Sequence, residues 1–121
     1  MKKILVVDDS HSLRQQVAEA LEGAGFSVIE AQDGVQGLAR LAEHEDVSLI
    51  LLDVNMPAMG GMEMLERLAQ PTGNVQIPVL MLTTEAERSL IARAKACGAK
   101  GWLIKPIKPE LLISAVSKVS R

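Results

Sequence analysis

Four short stretches of this chain end an oily run with a polar group, and the types of those groups suit phosphoryl chemistry. Asp53 follows Leu49-Ile50-Leu51-Leu52, Asp8-Asp9 follow Ile4-Leu5-Val6-Val7, Thr83-Thr84 follow Val79–Leu82, and Lys105 follows Trp102–Ile104. A carboxylate at the tip of an apolar strand is costly to hold there unless something pairs with it. Three carboxylates meeting at one point repel one another, and a hard divalent cation is the usual remedy. Asp8, Asp9 and Asp53 offer oxygen ligands, and the carbonyl of Asn55 lies within reach of the same ion. So few ligands, in a site open to water, favour Mg2+. Lys105 adds a fixed positive charge and Thr83 a hydroxyl. Cation, ammonium and hydroxyl around one carboxylate are what an incoming phosphoryl group needs on its equatorial oxygens. Asp53 is therefore expected to be the reactive residue, a carboxylate nucleophile that forms an aspartyl phosphate.

These groups need elements that bring them together. Leu49–Leu52 is a continuous aliphatic run, the pattern of a strand buried on both faces in a parallel sheet, and Pro57 closes off its extension. Ile4–Val7 and Val79–Leu82 read the same way, while Phe26–Ala31 has the more polar look of an edge strand. Between the strands, apolar residues recur at helical spacing. Leu13, Val17 and Leu21 mark a first helix that starts at Asp9 or Ser10 and stops at Gly23 to Gly25. Val35, Leu38, Ala39 and Ala42 are expected on the inner face of a second, after the Asp33-Gly34 turn. Gly60-Gly61 reads as a flexible loop before a third helix with Leu65, Leu68 and Ala69, and Pro71 to Pro78 as a polar connection. Leu90, Ile91, Ala94 and Cys97 mark a fourth helix closed by Gly98. Leu111, Leu112, Ala115, Val116 and Val119 are expected inward on a fifth. Strict strand–helix alternation implies an α/β domain with a parallel sheet covered on both faces, whose site lies beyond the carboxyl ends of the strands. All the polar groups named above stand at those ends.

Size and composition narrow the field. The chain has 121 residues, enough for one good core, and 48% of them are hydrophobic, which argues against disorder. No apolar run approaches the length of a membrane span, and the opening Ile4–Val7 run is too short for a signal peptide. Cys97, the one cysteine, cannot form an internal disulfide and suits a reducing cytosol, so a cytoplasmic location is expected. The net charge of −2 conceals an asymmetry. Residues 1–84 carry 5 basic and 12 acidic groups, residues 85–121 carry 8 basic and 3 acidic ones. The basic end is either a set of solvated helix faces or a docking face for an acidic partner. Nucleic acid is a poor partner, because the basic residues are not interleaved with aromatics. His11 and His44 read as exposed helix residues, and Met56, Met59, Met62 and Met64 as loop and core.

The set Asp8-Asp9, Asp53-Val54-Asn55-Met56-Pro57, Thr83 and Lys105-Pro106 resembles the receiver domain of two-component response regulators, most closely the stand-alone chemotaxis (CheY-like) type. The resemblance runs along the whole chain, so it implies one receiver domain over residues 1–121 with no effector domain. It also implies a flavodoxin-like (βα)5 sandwich with strand order 2-1-3-4-5. By the same resemblance, Asp53 accepts a phosphoryl group from the phosphohistidine of a sensor kinase. Asp9, Asp53 and the Asn55 carbonyl would hold Mg2+, with Asp8 acting mostly through water. Lys105, preceding a cis proline, contacts the phosphoryl group, and Thr83 shifts to bond it. The residue at Trp102 rotates inward and changes the face made by the fourth helix, last strand and last helix, where a target such as the flagellar motor switch would bind. Such a protein catalyses only its own phosphorylation and dephosphorylation, and is monomeric or dimerises on phosphorylation.

Two positions depart from the pattern. Trp102 stands where Tyr or Phe is common, and Thr84 where a small residue is usual; the first makes inward rotation harder. Asn55 and Glu85 match the chemotaxis type at positions that tune dephosphorylation. A phosphate sink, a relay shuttle and a regulator of another pathway are alternatives within the same class. An aspartate-nucleophile phosphatase resembling haloacid dehalogenases needs a second Asp two residues after the nucleophile, where this chain has Asn55. A nucleotide- or flavin-binding module needs a glycine-rich phosphate loop after the first strand, where Asp8-Asp9 would repel phosphate.

Overall fold

Continuous aliphatic strands that alternate with amphipathic helices can bury themselves only in layers. In the computed structural model they form five parallel strands flanked by helices on both faces. The structure describes residues 2–54, 59–68, 77–84 and 89–120. In chain order the elements are β1 (Lys3–Val7), α1 (His11–Gly23), β2 (Ser27–Ala31), α2 (Gly34–Glu43), β3 (Val47–Asp53), α3 (Gly61–Leu68), β4 (Val79–Thr83), α4 (Ile91–Ala96), β5 (Gly101–Ile104) and α5 (Pro109–Val119). The sheet order is β2-β1-β3-β4-β5, with every neighbouring pair parallel. This is the doubly wound α/β sandwich with order 2-1-3-4-5 expected above, β2 lying on an edge and β3 at the centre.

Side chains alternate across the sheet and so build two cores. Leu5, Val7, Ile50, Leu52, Val79 and Met81 face Met59, Met64, Leu65 and Ala94 from the α2–α3–α4 side. Ile4, Val6, Leu49, Leu51, Leu80 and Leu82 face Val17, Leu21, Leu112 and Val116 from the α1–α5 side. Met59, Met62 and Met64 are buried, in keeping with loop and core roles; Met56 lies outside the described residues. Cys97 is half-buried against the first core, His11 is exposed and His44 is half-buried at the end of α2.

Two helix faces differ from expectation. Val35 is 56% exposed, and Ala39 and Ala42 are exposed too. The buried positions of α2 are instead Gly34 and Gly37, with Leu38 and Leu41 half-buried against the core. A Cβ on Gly34 would lie 2.7 Å from Met59 Cγ, and one on Gly37 would lie 2.9 Å from Met64 Cε. The helix therefore turns its glycines inward and approaches the core more closely than an aliphatic face could. On α5, Leu112 and Val116 are buried while Leu111 is 58% exposed. Leu112 and Val116, flanked by Ile113 and Ala115, occupy the inner face, and Leu111 lies about 100° from Leu112, outside it.

Candidate functional site

Strand register assembles the polar residues before any side chain is considered. Val7 pairs with Leu52, which sets Asp8 beside Asp53. Asp53 pairs with Leu82 across β3–β4, which sets Thr83 one step beyond it, and Thr83 pairs with Ile104, just before Lys105. The ends are tied by backbone bonds: the Asp8 N–H donates to Ala31 O at 3.1 Å, Val54 N–H to Leu82 O at 3.2 Å and Lys105 N–H to Thr83 O at 2.7 Å. The Lys105–Pro106 peptide is cis.

Local chemistry then orients the groups. Ser10, and not Asp9, caps α1: its hydroxyl accepts from Leu13 N–H at 3.2 Å. Asp8 Oδ1 in turn accepts from Ser10 N–H at 2.8 Å. Asp9 is left exposed at the mouth, while Asp8 and Asp53 are buried, at 0% and 2% exposure. Arg14 donates to the Asp8 carbonyl at 2.6 Å and pairs with Glu30 at 3.1 Å, tying α1 to the ends of β1 and β2.

Lys105 Nζ sits 3.0 Å from Asp53 Oδ1 and 3.0 Å from Asp8 Oδ2. Its bond to Asp53 has hydrogen-bond geometry, whereas its contact with Asp8 Oδ2 is an ion pair without it. Burial pushes the Lys105 ammonium towards neutrality, but its close pairing with the carboxylates of Asp8 and Asp53 outweighs it and holds its pKa above the ordinary lysine value. The lysine is therefore a permanent cation between two buried acids. Thr83 is also buried, and its Oγ1 has no hydrogen-bond partner among the described residues. An orphaned buried hydroxyl costs free energy unless it has another task, which disfavours the role of simple helix cap. The N-terminus of α4 lies further on, at Leu90.

Oxygen atoms of Asp8, Asp9 and Asp53 all lie within 4.8 Å of one another. Three carboxylates against one ammonium leave excess negative charge at a mouth opened by Asp9. A hard divalent cation such as Mg2+ fits that donor set. Asn55, the fourth expected ligand, and Glu85 lie outside the described residues.

Gly61 is a participant that the sequence disguised. It reads as part of a flexible loop, yet it opens α3, and its N–H donates to Val54 O at 3.0 Å. A Cβ there would stand 2.0 Å from the Asp53 carbonyl oxygen. Only glycine lets α3 start directly against the backbone of Asp53.

Comparison with known proteins supplies the class. Residues 4–117 match the family described as "Response regulator receiver domain". The chain belongs to that family, the receiver domains of two-component systems. Within it, the chain is a CheY-like receiver. It is 32% identical to the chemotaxis protein CheY1 of Helicobacter pylori over 111 residues, 91% of this chain and 90% of that protein. The structure of Vibrio cholerae chemotaxis protein CheY4 superposes with a TM-score of 0.89 at 41% identity, covering 98% of each chain. The similarity extends beyond chemotaxis proteins. The phosphate regulon transcriptional regulatory protein PhoB of Pseudomonas aeruginosa is 35% identical over 120 residues, 99% of this chain and 52% of that protein. No helix among the described residues is long and apolar enough to cross a membrane.

Proposed function

We propose that this receiver is a phosphorylation-dependent switch in which Asp53 accepts a phosphoryl group from the phosphohistidine of a sensor histidine kinase. The observation that carries this is Asp53 itself, buried at the end of β3 with Lys105 Nζ 3.0 Å away and an orphaned Thr83 hydroxyl at the next strand end. A carboxylate oxygen of Asp53 attacks phosphorus, the phosphorus–nitrogen bond breaks, and its electron pair leaves with the imidazole. Lys105 stays charged and balances the oxygens of the transferred group. Thr83 donates its free hydroxyl to one of them. Asp9 and Asp53 would hold Mg2+, with Asp8 acting mostly through water and the Asn55 carbonyl as the further expected ligand, and the bound ion would neutralise charge on the phosphoryl oxygens.

Output leaves through the surface made by α4, β5 and α5. Trp102 on β5, exposed Leu111 and the basic residues Arg93, Lys95, Lys100 and Lys118 give that surface an apolar and cationic character suited to an acidic partner. Chemotaxis is the pathway favoured by the similarity to CheY1 and CheY4, with the flagellar motor switch as target and the cytoplasm as the place of action. The chain acts on no outside substrate and catalyses only its own phosphorylation and dephosphorylation.

The test is intact mass after incubation with Mg2+ and acetyl phosphate, beside an Asp53→Ala control with native circular dichroism. One added phosphoryl group, labile to hydroxylamine and lost in the control, is the expected result. No gain in mass, or a gain retained by Asp53→Ala, overturns the assignment.

A further inference from the structure

Trp102 and Thr83 share one face of the sheet. Met81 pairs with Trp102 and Thr83 with Ile104, so Trp102 lies diagonal to Thr83 on the side covered by α4. Its indole is half-buried, and the Nζ of Lys95 stands 4.4 Å from the ring centroid. Lys95 is exposed, and its ammonium has no carboxylate partner among the described residues. Its neighbour Arg93 pairs with Glu66 of α3 at 2.9 Å, so α4 is anchored on one side by a carboxylate and on the other by an aromatic ring.

We propose that Lys95 is a positioning residue of the switch, a cationic latch that holds the Trp102 indole in its resting place through its ring face. The latch rests on the phosphoacceptor role of Asp53 proposed above. When Thr83 turns its free hydroxyl to a phosphoryl oxygen, the side chain diagonal to Trp102 moves, and Trp102 can follow only by leaving the Lys95 ammonium. The contact exists in the resting state alone, so it opposes activation. By linkage it weakens binding of any phosphoryl mimic by the same factor. An exposed cation–π contact corresponds to roughly a two- to five-fold factor in an equilibrium. It also lets the larger indole act as a switch residue with a threshold that Phe or Tyr at this position would set lower, since tryptophan gives the strongest ring face for a cation.

The experiment uses the full chain with Mg2+ and beryllofluoride, a phosphoryl mimic, titrated by calorimetry. Lys95→Met keeps the stem and the helix preference but removes the charge, and should bind the mimic about two- to five-fold more tightly. Lys95→Arg should bind like the wild type. In a Trp102→Leu background, Lys95→Met should change nothing, because the coupling runs through the ring. Without ligand, acrylamide should quench Trp102 more readily in Lys95→Met than in wild type. Unchanged mimic affinity in Lys95→Met, or the same gain in the Trp102→Leu background, overturns the latch. Failure of the wild type to bind beryllofluoride counts against the phosphoacceptor role instead. In that event ligand-free quenching decides, and equal quenching of Lys95→Met and wild type overturns the latch.

Discussion

Adding one methyl group at Gly61 should damage both the stability and the chemistry of this domain, although the side chain added is small and apolar. The new Cβ would lie 2.0 Å from the carbonyl oxygen of Asp53, 2.8 Å from its carbonyl carbon and 2.9 Å from the Cα of Val54. Ordinary contacts between such atoms lie near 3.5 Å, so α3 and the end of β3 must part by roughly 1.5 Å. All three contacted atoms are backbone, and no flexible side chain can yield in their place. Overpacking of this kind costs about 3 kcal/mol, the upper part of its usual range. Alanine recovers about 0.5–1 kcal/mol through helix preference and a less free unfolded chain. The net loss is about 2 kcal/mol, on the order of 6–10 °C in Tm for a domain of this size. Because Asp53 itself moves, phosphorylation by acetyl phosphate should slow by up to about 100-fold. Gly23→Ala is the control: nothing lies within 4 Å of its Cβ, and it should stay within about 1 kcal/mol of wild type. Thermal melts with intact-mass time courses check both effects. A Gly61→Ala variant that melts within about 2 °C of wild type and labels at the wild-type rate refutes the reasoning.

Lys105→Met leaves Asp8 and Asp53 buried without their ammonium, and urea unfolding at pH 7 should show a loss of about 2 kcal/mol, below the full value for a buried pair because Lys105 is 22% exposed. Since the folded-state pKa of Lys105 is raised, its stabilisation is complete below the ordinary value of 10.5 and fades as pH climbs through the raised one; wild type should lose stability there more steeply than Lys105→Met. Mg2+ at ten times its dissociation constant should stabilise the wild type by about 1.4 kcal/mol in thermal melts, and Asp9→Asn should lose most of that gain with little change in metal-free stability. Leu112→Ala should cost about 2–5 kcal/mol and Leu111→Ala less than about 0.5 kcal/mol in urea unfolding, although the two leucines are adjacent in sequence.

The sheet and most of the candidate site were legible because each strand is a short uninterrupted aliphatic run with a polar group at its carboxyl end. Parallel register then brings Asp8, Asp53, Thr83 and Lys105 together with no further information. Helix faces were less legible where glycine competes with larger apolar residues. Val35, Ala39 and Ala42 have the right spacing for an inner face, but Gly34 and Gly37 admit Met59 and Met64 more closely and take that place. In α5 both leucines fit the pattern, and only packing against α1 and the sheet selects Leu112. The role of Gly61 depends on a carbonyl eight residues earlier in the chain, a contact with no local signature. The Lys95–Trp102 contact was equally hidden, since its partners sit on α4 and β5, either side of the Gly98 turn.

β5 is the last strand of the sheet, four residues long and only half-buried throughout, yet it carries both Trp102 and, directly after it, Lys105. Edge segments open locally at far less cost than central ones. When β5 frays, β1 and β3 stay paired and keep Asp8 beside Asp53, but the ammonium between them is withdrawn. The two acids then repel more strongly, so closure of the edge is tied to the positive charge between them and to any cation they hold. Amide exchange along Gly101–Ile104 thus becomes a running record of the charge at the centre of the sheet, carried outward by a single side chain.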